Sequence, residues 1–216
     1  MQIGADEAGK GPALGPMVAG AVRADPGDLP AGLDDSKKLS PARREELAAA
    51  LRDHPAIRVA TAAIEPARID APETDMNTLG VAAQAEAIAA VAGADDDVVA
   101  DAADTDEGRF GRRLRDAVAE RGTALTVTAE HGADEAHAIV SAASVVAKVE
   151  RDRRMAEIDT EYGRDVGSGY PSDPTTRAFL VDYVDEHGTL PGCARTTWAT
   201  CEDALAAAEQ SGLSDF

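Results

Sequence analysis

Two stretches near the start of the chain, residues 2–8 and 16–24, are apolar and strand-like, and a turn carrying Gly9, Gly11, Pro12 and Gly15 separates them. That pattern predicts a β-hairpin. Ser40 followed by Pro41 is a favoured pair of N-cap and first helical residue, and Leu47 and Leu51 sit four apart on the buried face of that helix. Residues 57–64 alternate and are rich in β-branched side chains, which predicts a third strand. Asn77 or Thr78 is placed to cap the next helix, where Val81, Ala85 and Ile88 share one face. Asp95-Asp96-Asp97 ends it, and Val98-Val99-Ala100-Asp101 then reads as a short buried strand finishing on a carboxylate. Phe110, Leu114 and Val118 mark a helix over residues 107–121, and residues 125–128 a fifth strand. An unusually apolar helix follows at 138–148, where small side chains permit tight packing on a sheet. Asp173 and Pro174 open another helix with Phe179, Leu180 and Val184 inward and Gly188 as its stop, and an Ala-rich helix covers 199–210.

Composition changes this picture in one respect. The 216 residues suffice for one well-cored domain with a small C-terminal helical appendage. No apolar run is long enough to span a membrane and no secretory leader is visible, so a cytoplasmic protein is expected. Cys193 and Cys201 form no metal or disulfide pattern. The net charge of −19, from 40 acidic against 21 basic residues, is the anomaly. At molar salt the Debye length falls to about 3 Å, so acidic self-repulsion is screened and a hydrated carboxylate surface keeps the chain soluble. A salt-rich cytoplasm, and therefore a halophile, accounts for the composition.

The candidate chemistry starts at Asp6 and Glu7, adjacent at the end of the first predicted strand. A desolvated carboxylate is costly unless paired or metal-bound, and neighbouring strand residues point to opposite faces. Both reach one site only if the strand ends or bends, which Gly9 and Gly11 would allow by accepting positive φ. Two readings stay open on these residues alone: a polar hairpin turn, or a metal-carboxylate strand followed by a cradle of backbone amides. A dinucleotide-binding loop is a poor fit, because Gly9, Gly11 and Gly15 have the wrong spacing. Asp101 is a further candidate, since ligands gather at the carboxyl ends of strands. Asp104 and Asp106 read as solvated loop or helix-start residues, and His131 and His137 as surface residues.

Asp6-Glu7-Ala8-Gly9-Lys10-Gly11-Pro12 resembles the active-site signature of ribonuclease HII, the type 2 ribonuclease H, whose usual form is D-E-A-G-R-G-P. Ser141 to Asp152 resembles the family's S-A-A-S-x-x-A-K-V-x-R-D helix, and Gly167-Ser168-Gly169-Tyr170-Pro171 its tyrosine segment. Shorter likenesses fall at Asp35-Ser36-Lys37-Lys38-Leu39, at Asn77-x-Leu79, and at Arg195-Thr196-Thr197-Trp198, which is similar to R-x-S-W. The resemblance covers nearly the whole chain and is greatest to the archaeal form. Ribonuclease HIII is the near rival, set aside because its extra N-terminal domain has no counterpart before residue 2.

What the resemblance implies is specific. The fold is α/β: a ribonuclease H-like mixed five-stranded sheet with flanking helices and a C-terminal helical region. Residues 1–160 form the catalytic core and 161–209 the C-terminal helical region of the same catalytic unit. Asp6, Glu7, Asp101 and Asp134 are the active-site acids, and four acids in one pocket call for cations. An oxygen-only set suits two Mg²⁺ or Mn²⁺ ions. Gly9, Lys10 and Gly11 would read a ribose 2′-hydroxyl, Tyr170 would stack on the next sugar, and Ser36, Lys37 and Lys148 would touch phosphates. Lys10 stands where arginine is usual, and Gly132 stands where many relatives have lysine.

The expected activity is cleavage of the RNA strand of RNA–DNA hybrids and of ribonucleotide-containing DNA. The alternatives are a catalytically silent nucleic-acid-binding module and another two-metal phosphoesterase. Gln210, Leu213 and Phe216 have the spacing of the short peptide that docks on the replication sliding clamp, and two readings of residues 210–216 stay open: a clamp-binding tail or a frayed terminus.

Overall fold

A computed structural model describes residues 1–33 and 39–214, with side chains through 210. Two compact units divide it: Met1–Ala8, Val18–Ala63 and Asp75–Arg151 make the first, and Gly9–Met17, Ile64–Thr74 and Asp152–Phe216 the second.

The first unit is built on β1 (Gln2–Ala8), whose small and apolar residues suit a strand covered on both faces. β2 (Met17–Ala24) returns beside it as the expected antiparallel hairpin, with Asp6 opposite Gly20 and Ala8 opposite Val18. On the other side β4 (Asp97–Asp101) runs parallel to β1, and β5 (Thr126–Glu130) parallel to β4. With β3 (Arg58–Ile64) at the far edge, the order is β3-β2-β1-β4-β5, the mixed five-stranded sheet expected.

One face of β1 carries α3 (Met76–Val91), which packs against α4 (Glu107–Glu120), and α4 in turn covers β5. On the other face lie α1 (Pro41–Asp53) and the first half of α6 (Ala138–Tyr162), which share a core of Val22, Leu47, Leu51, Ile139, Val140 and Val146. Close approach is what Gly4 and Gly20 provide. A Cβ on Gly4 would stand 2.1 Å from the Ile139 carbonyl oxygen, and one on Gly20 2.5 Å from that of Ala143. The helix continues well past residue 148, because Met155 in its second half enters the core of the other unit. A four-residue helix, α5 (Ala133–Ala136), bridges β5 and α6. The cap of α3 is Asp75 rather than Asn77 or Thr78: its Oδ1 accepts both of their amides, at 2.9 and 3.0 Å. A carboxylate two residues earlier reaches two of the orphan donors of the first turn at once.

The second unit packs α7 (Pro174–His187) and α8 (Ala199–Ser214), with the end of α6, around Phe179, Leu180, Val184 and Cys201. Tyr162 meets Phe179 edge-on, ring centroids 5.3 Å apart. Asp173 caps α7 as expected, accepting from Thr175 N and Ser168 N, and the Ser168 hydroxyl together with those amides brings its carboxyl down to about 2. Gly188 ends the helix at φ +68°. Cys193 and Cys201 are buried free thiols, pushed up by burial to about 12 and about 11, and so chemically quiet. The short α2 (Pro66–Ile69) also belongs here.

Gly4→Ala tests the close approach. A methyl there has only backbone to displace, so we expect a loss of at least about 3 kcal/mol, the upper end of the usual cost of overpacking. Denaturant unfolding in molar KCl reads it out.

Candidate active site

Asp6 and Glu7 close β1, and the strand needs no bend to hold them: its ladder with β2 runs unbroken to Ala8. Alternation is therefore kept. Asp6 shares the face of Gly4 that α6 covers, and Glu7 points the opposite way, toward α3. Asp6 is buried, and its Oδ1 accepts the Glu7 amide at 2.7 Å. Burial pushes its carboxyl well above the usual range, and the charges of Glu7 and then Asp101 push it further. Ser144 of α6 opposes this, facing Asp6 closely enough to favour the charged form while falling short of a full hydrogen bond.

Glu7 is gripped from α3, where the Gln84 amide nitrogen donates to its Oε2 at 2.6 Å and to the Asp101 carbonyl oxygen at 3.1 Å. Gln84 is fully buried on an otherwise Ala-rich helix face, and its Oε1 has no hydrogen-bond partner. An unpartnered buried acceptor costs about 1–3 kcal/mol. Asp101 ends β4, and its Oδ1 accepts the Ala133 amide at 3.1 Å, which ties the strand end to the first turn of α5. Asp134, buried, is the next residue. The four acids thus occur at the carboxyl ends of β1 and β4 and on α5, all in the first unit. Among the described residues no three acidic, histidine or cysteine side chains converge closely enough to grip an ion as they stand. Glu7 is held by the Gln84 amide and Asp101 by the Ala133 N–H. An all-oxygen acidic set with one desolvated member still has the chemistry of a hard dication site.

Gly9, Lys10, Gly11 and Tyr170 belong to the second unit, which the chain enters one residue after Ala8. Of the loop glycines, Gly9 and Gly15 take positive φ, +82° and +78°, whereas Gly11 does not. Gly11 instead lies beside the half-exposed Tyr170 ring, whose Cε1 is 3.9 Å from where a Cβ would sit. Ala13 N and Leu14 N donate to the Gly169 carbonyl at 2.8 and 3.2 Å, which fixes the loop next to the tyrosine segment.

Arg195 does the rest. Its wholly buried guanidinium donates to the carbonyls of Gly9 at 2.6 Å, Lys10 at 2.9 Å and Gly15 at 3.0 Å. Trp198 lies 5.2 Å from it in a cation–π contact and donates to the Gly11 carbonyl at 3.3 Å. Asp70 anchors the neighbouring Thr196 and Thr197 through their amides and hydroxyls. Four of the loop's carbonyls are thus committed to Arg195 and Trp198.

Lys148 is half-buried on α6, one turn after Ser144. Ser36, Lys37 and Phe216 lie outside the described residues, as does the side chain of Leu213, while Gln210 is exposed near the end of α8. Asp106 caps α4 as expected. Asp104 is not solvated: its buried carboxylate pairs with Arg109, which holds it well below the usual carboxylate range. Arg195, Trp198, Gln84 and Ser144 had no role assigned from sequence. Gln84 carried a signal, as the one amide among Val81, Ala83, Ala85 and Ala87 on a buried face.

A mixed sheet of this order, with acids at the ends of its inner strands, defines a ribonuclease H-like fold. The chain belongs to the ribonuclease HII family, whose sequence model matches residues 3–201. It is 61% identical to the ribonuclease HII of Haloarcula marismortui over 216 residues, the full length of both. The crystal structure of ribonuclease H2 from Pyrococcus horikoshii superposes with a TM-score of 0.86 at 35% identity, covering 97% of this chain and 99% of that one. Ribonuclease HII of Archaeoglobus fulgidus, solved in complex with PCNA, gives 0.83 at 36% identity, covering 94% and 96%. The protein is a ribonuclease H with halophile relatives, as its acidity implied. No described helix is long and apolar enough to cross a membrane.

Asp6 makes a stability prediction. Its folded-state carboxyl is raised, so charging it disfavours the metal-free fold. Stability should fall as the pH climbs above the ordinary aspartate value of about 3.9. In EDTA, Asp6→Asn should melt above the parent at neutral pH, and the gap should close on acidification toward that value, followed by thermal melts across a pH series.

Proposed function

We propose that this protein is an endonuclease that hydrolyses the RNA strand of RNA–DNA hybrids and cuts on the 5′ side of ribonucleotides embedded in duplex DNA. The observation that carries the metal-dependent part is Asp6, buried with its charged form opposed by Glu7 and Asp101. A cation beside such a group favours its charged form and offsets that burial and repulsion. Asp6, Glu7, Asp101 and Asp134 are the residues that would hold two Mg²⁺ or Mn²⁺ ions. Ions held there would supply activation of a water and charge neutralisation at the departing oxygen. Hydrolysis then adds water across the phosphorus–O3′ bond, leaving a 5′-phosphate and a 3′-hydroxyl.

Recognition falls to the Gly9-Lys10-Gly11 loop and Tyr170. The 2′-hydroxyl is what distinguishes RNA from DNA. A loop whose carbonyls are committed to Arg195 and Trp198, and which has no side chain at Gly9 or Gly11, supports backbone readout of that group. Tyr170, exposed beside Gly11, supports stacking on the following sugar. Lys148, Ser36 and Lys37 are the phosphate contacts in this reading.

The test is a DNA duplex with a single ribonucleotide, assayed with Mg²⁺ and with Mn²⁺ in molar KCl. One cut 5′ of the ribonucleotide is expected. Asp6→Asn, Glu7→Gln, Asp101→Asn and Asp134→Asn should each lower turnover by at least about 100-fold, the scale of losing a group that stabilises transition-state charge. Near-normal turnover of any of them at saturating metal would remove that residue from the set.

A partner follows from the C-terminal end. The Archaeoglobus relative forms a complex with PCNA, which supports a sliding clamp as partner here through Gln210, Leu213 and Phe216. Deleting residues 210–216 should leave cleavage intact and abolish binding to the organism's own clamp, measured by titration calorimetry.

A further inference from the structure

We propose that Gln84 is a positioning residue for the metal centre, holding Glu7 in its ligating place by bridging it to the end of β4. The inference rests on the reading of Glu7 as a metal ligand. Both amide hydrogens of Gln84 are committed, one to Glu7 Oε2 at 2.6 Å and one to the Asp101 carbonyl at 3.1 Å. Turning the amide over would set oxygen against oxygen at both contacts, so the donor orientation is the one the surroundings dictate. The bridge joins two strand ends that each carry a candidate ligand, Glu7 on β1 and Asp101 on β4. It comes from a rigid, fully buried helix face rather than from a loop.

Three consequences follow. A glutamate side chain loses rotamer freedom on binding an ion, and Gln84 has already removed much of it. The amide draws negative charge on Glu7 toward itself, easing repulsion against Asp6. It also couples Glu7 to the Asp101 backbone, so a shift of either strand end is felt by both carboxylates. Groups that orient a metal's ligands are worth about 10–100-fold in affinity. The opposite behaviour is also well defined: were Gln84 a latch competing with the ion, its removal would tighten binding.

The experiment is Mn²⁺ binding, followed by electron paramagnetic resonance of the free ion at fixed pH, in the full-length protein and in Gln84→Met, which keeps the volume and removes the amide. We expect Mn²⁺ affinity to fall about tenfold, and the metal concentration for half-maximal cleavage to rise in step. In a Glu7→Gln background, Gln84→Met should cause no further loss. Unchanged or tighter Mn²⁺ binding by Gln84→Met would overturn the proposal. So would an equal loss in the presence and absence of Glu7, which would mark a general packing defect. Should Gln84→Met not fold, Gln84→Asn, which keeps the amide but shortens its reach, takes its place with the same expectation. If the parent binds no Mn²⁺ that Asp6→Asn abolishes, the metal reading itself fails, and this inference with it.

Discussion

The desolvation of one carboxylate organises the first unit. Asp6 is buried because α6 comes close to the sheet, and α6 comes close because Gly4 and Gly20 present no Cβ to its backbone. The same approach brings Ser144 opposite Asp6. Alone, this arrangement is a liability: a charged oxygen in poor solvent with two further acids nearby. The fold tolerates it because packing elsewhere on that helix face is dense, with Ile139, Val140 and Val146 in one core with Leu47 and Leu51. Stability is thus placed where it permits an unfavourable charge distribution to persist, which is the usual physical condition of a site that recruits cations.

The second unit solves a different problem, the shape of a loop. One connected set of its hydrogen bonds leads to that loop. Thr176 accepts from the Gly169 amide, Gly169 receives Ala13 and Leu14, and Arg195 and Trp198 take the carbonyls of residues 9, 10, 11 and 15. Thr196 and Thr197, flanked by these two residues, are fixed in turn by Asp70. A glycine-rich segment would otherwise be the most mobile part of the chain. Here its flexibility is spent on reaching a conformation, and the hydrogen bonds then hold it.

The sheet was legible because its signals are local. Residues 2–8 and 16–24 announce a hairpin through their own composition and turn, and Asp173-Pro174 and Gly188 mark the ends of α7 without reference to anything distant. The acids at the strand ends were legible for the same reason, aided by the family resemblance. What escaped depends on partners far along the chain. Arg195 and its Gly9 carbonyl are 186 residues apart, and Gln84 and Glu7 are 77 apart. No window of sequence contains both ends of such a bond. The strand was expected to end or bend beyond Glu7, and it ends at Ala8, with Gly9 at φ +82°.

Salinity acts unevenly on this molecule. Exposed ion pairs such as Arg43–Glu46 and Arg115–Asp116 are weak at best and fade as ions crowd the surface. The Arg195 guanidinium is wholly buried, so mobile ions cannot reach it, and its carbonyl partners are dipoles that never titrate. Arginine itself stays protonated at any pH a cell experiences. Evaporation or dilution of the brine around such a cell would therefore rearrange much of the protein's charged exterior while leaving the contour of the glycine loop unaltered.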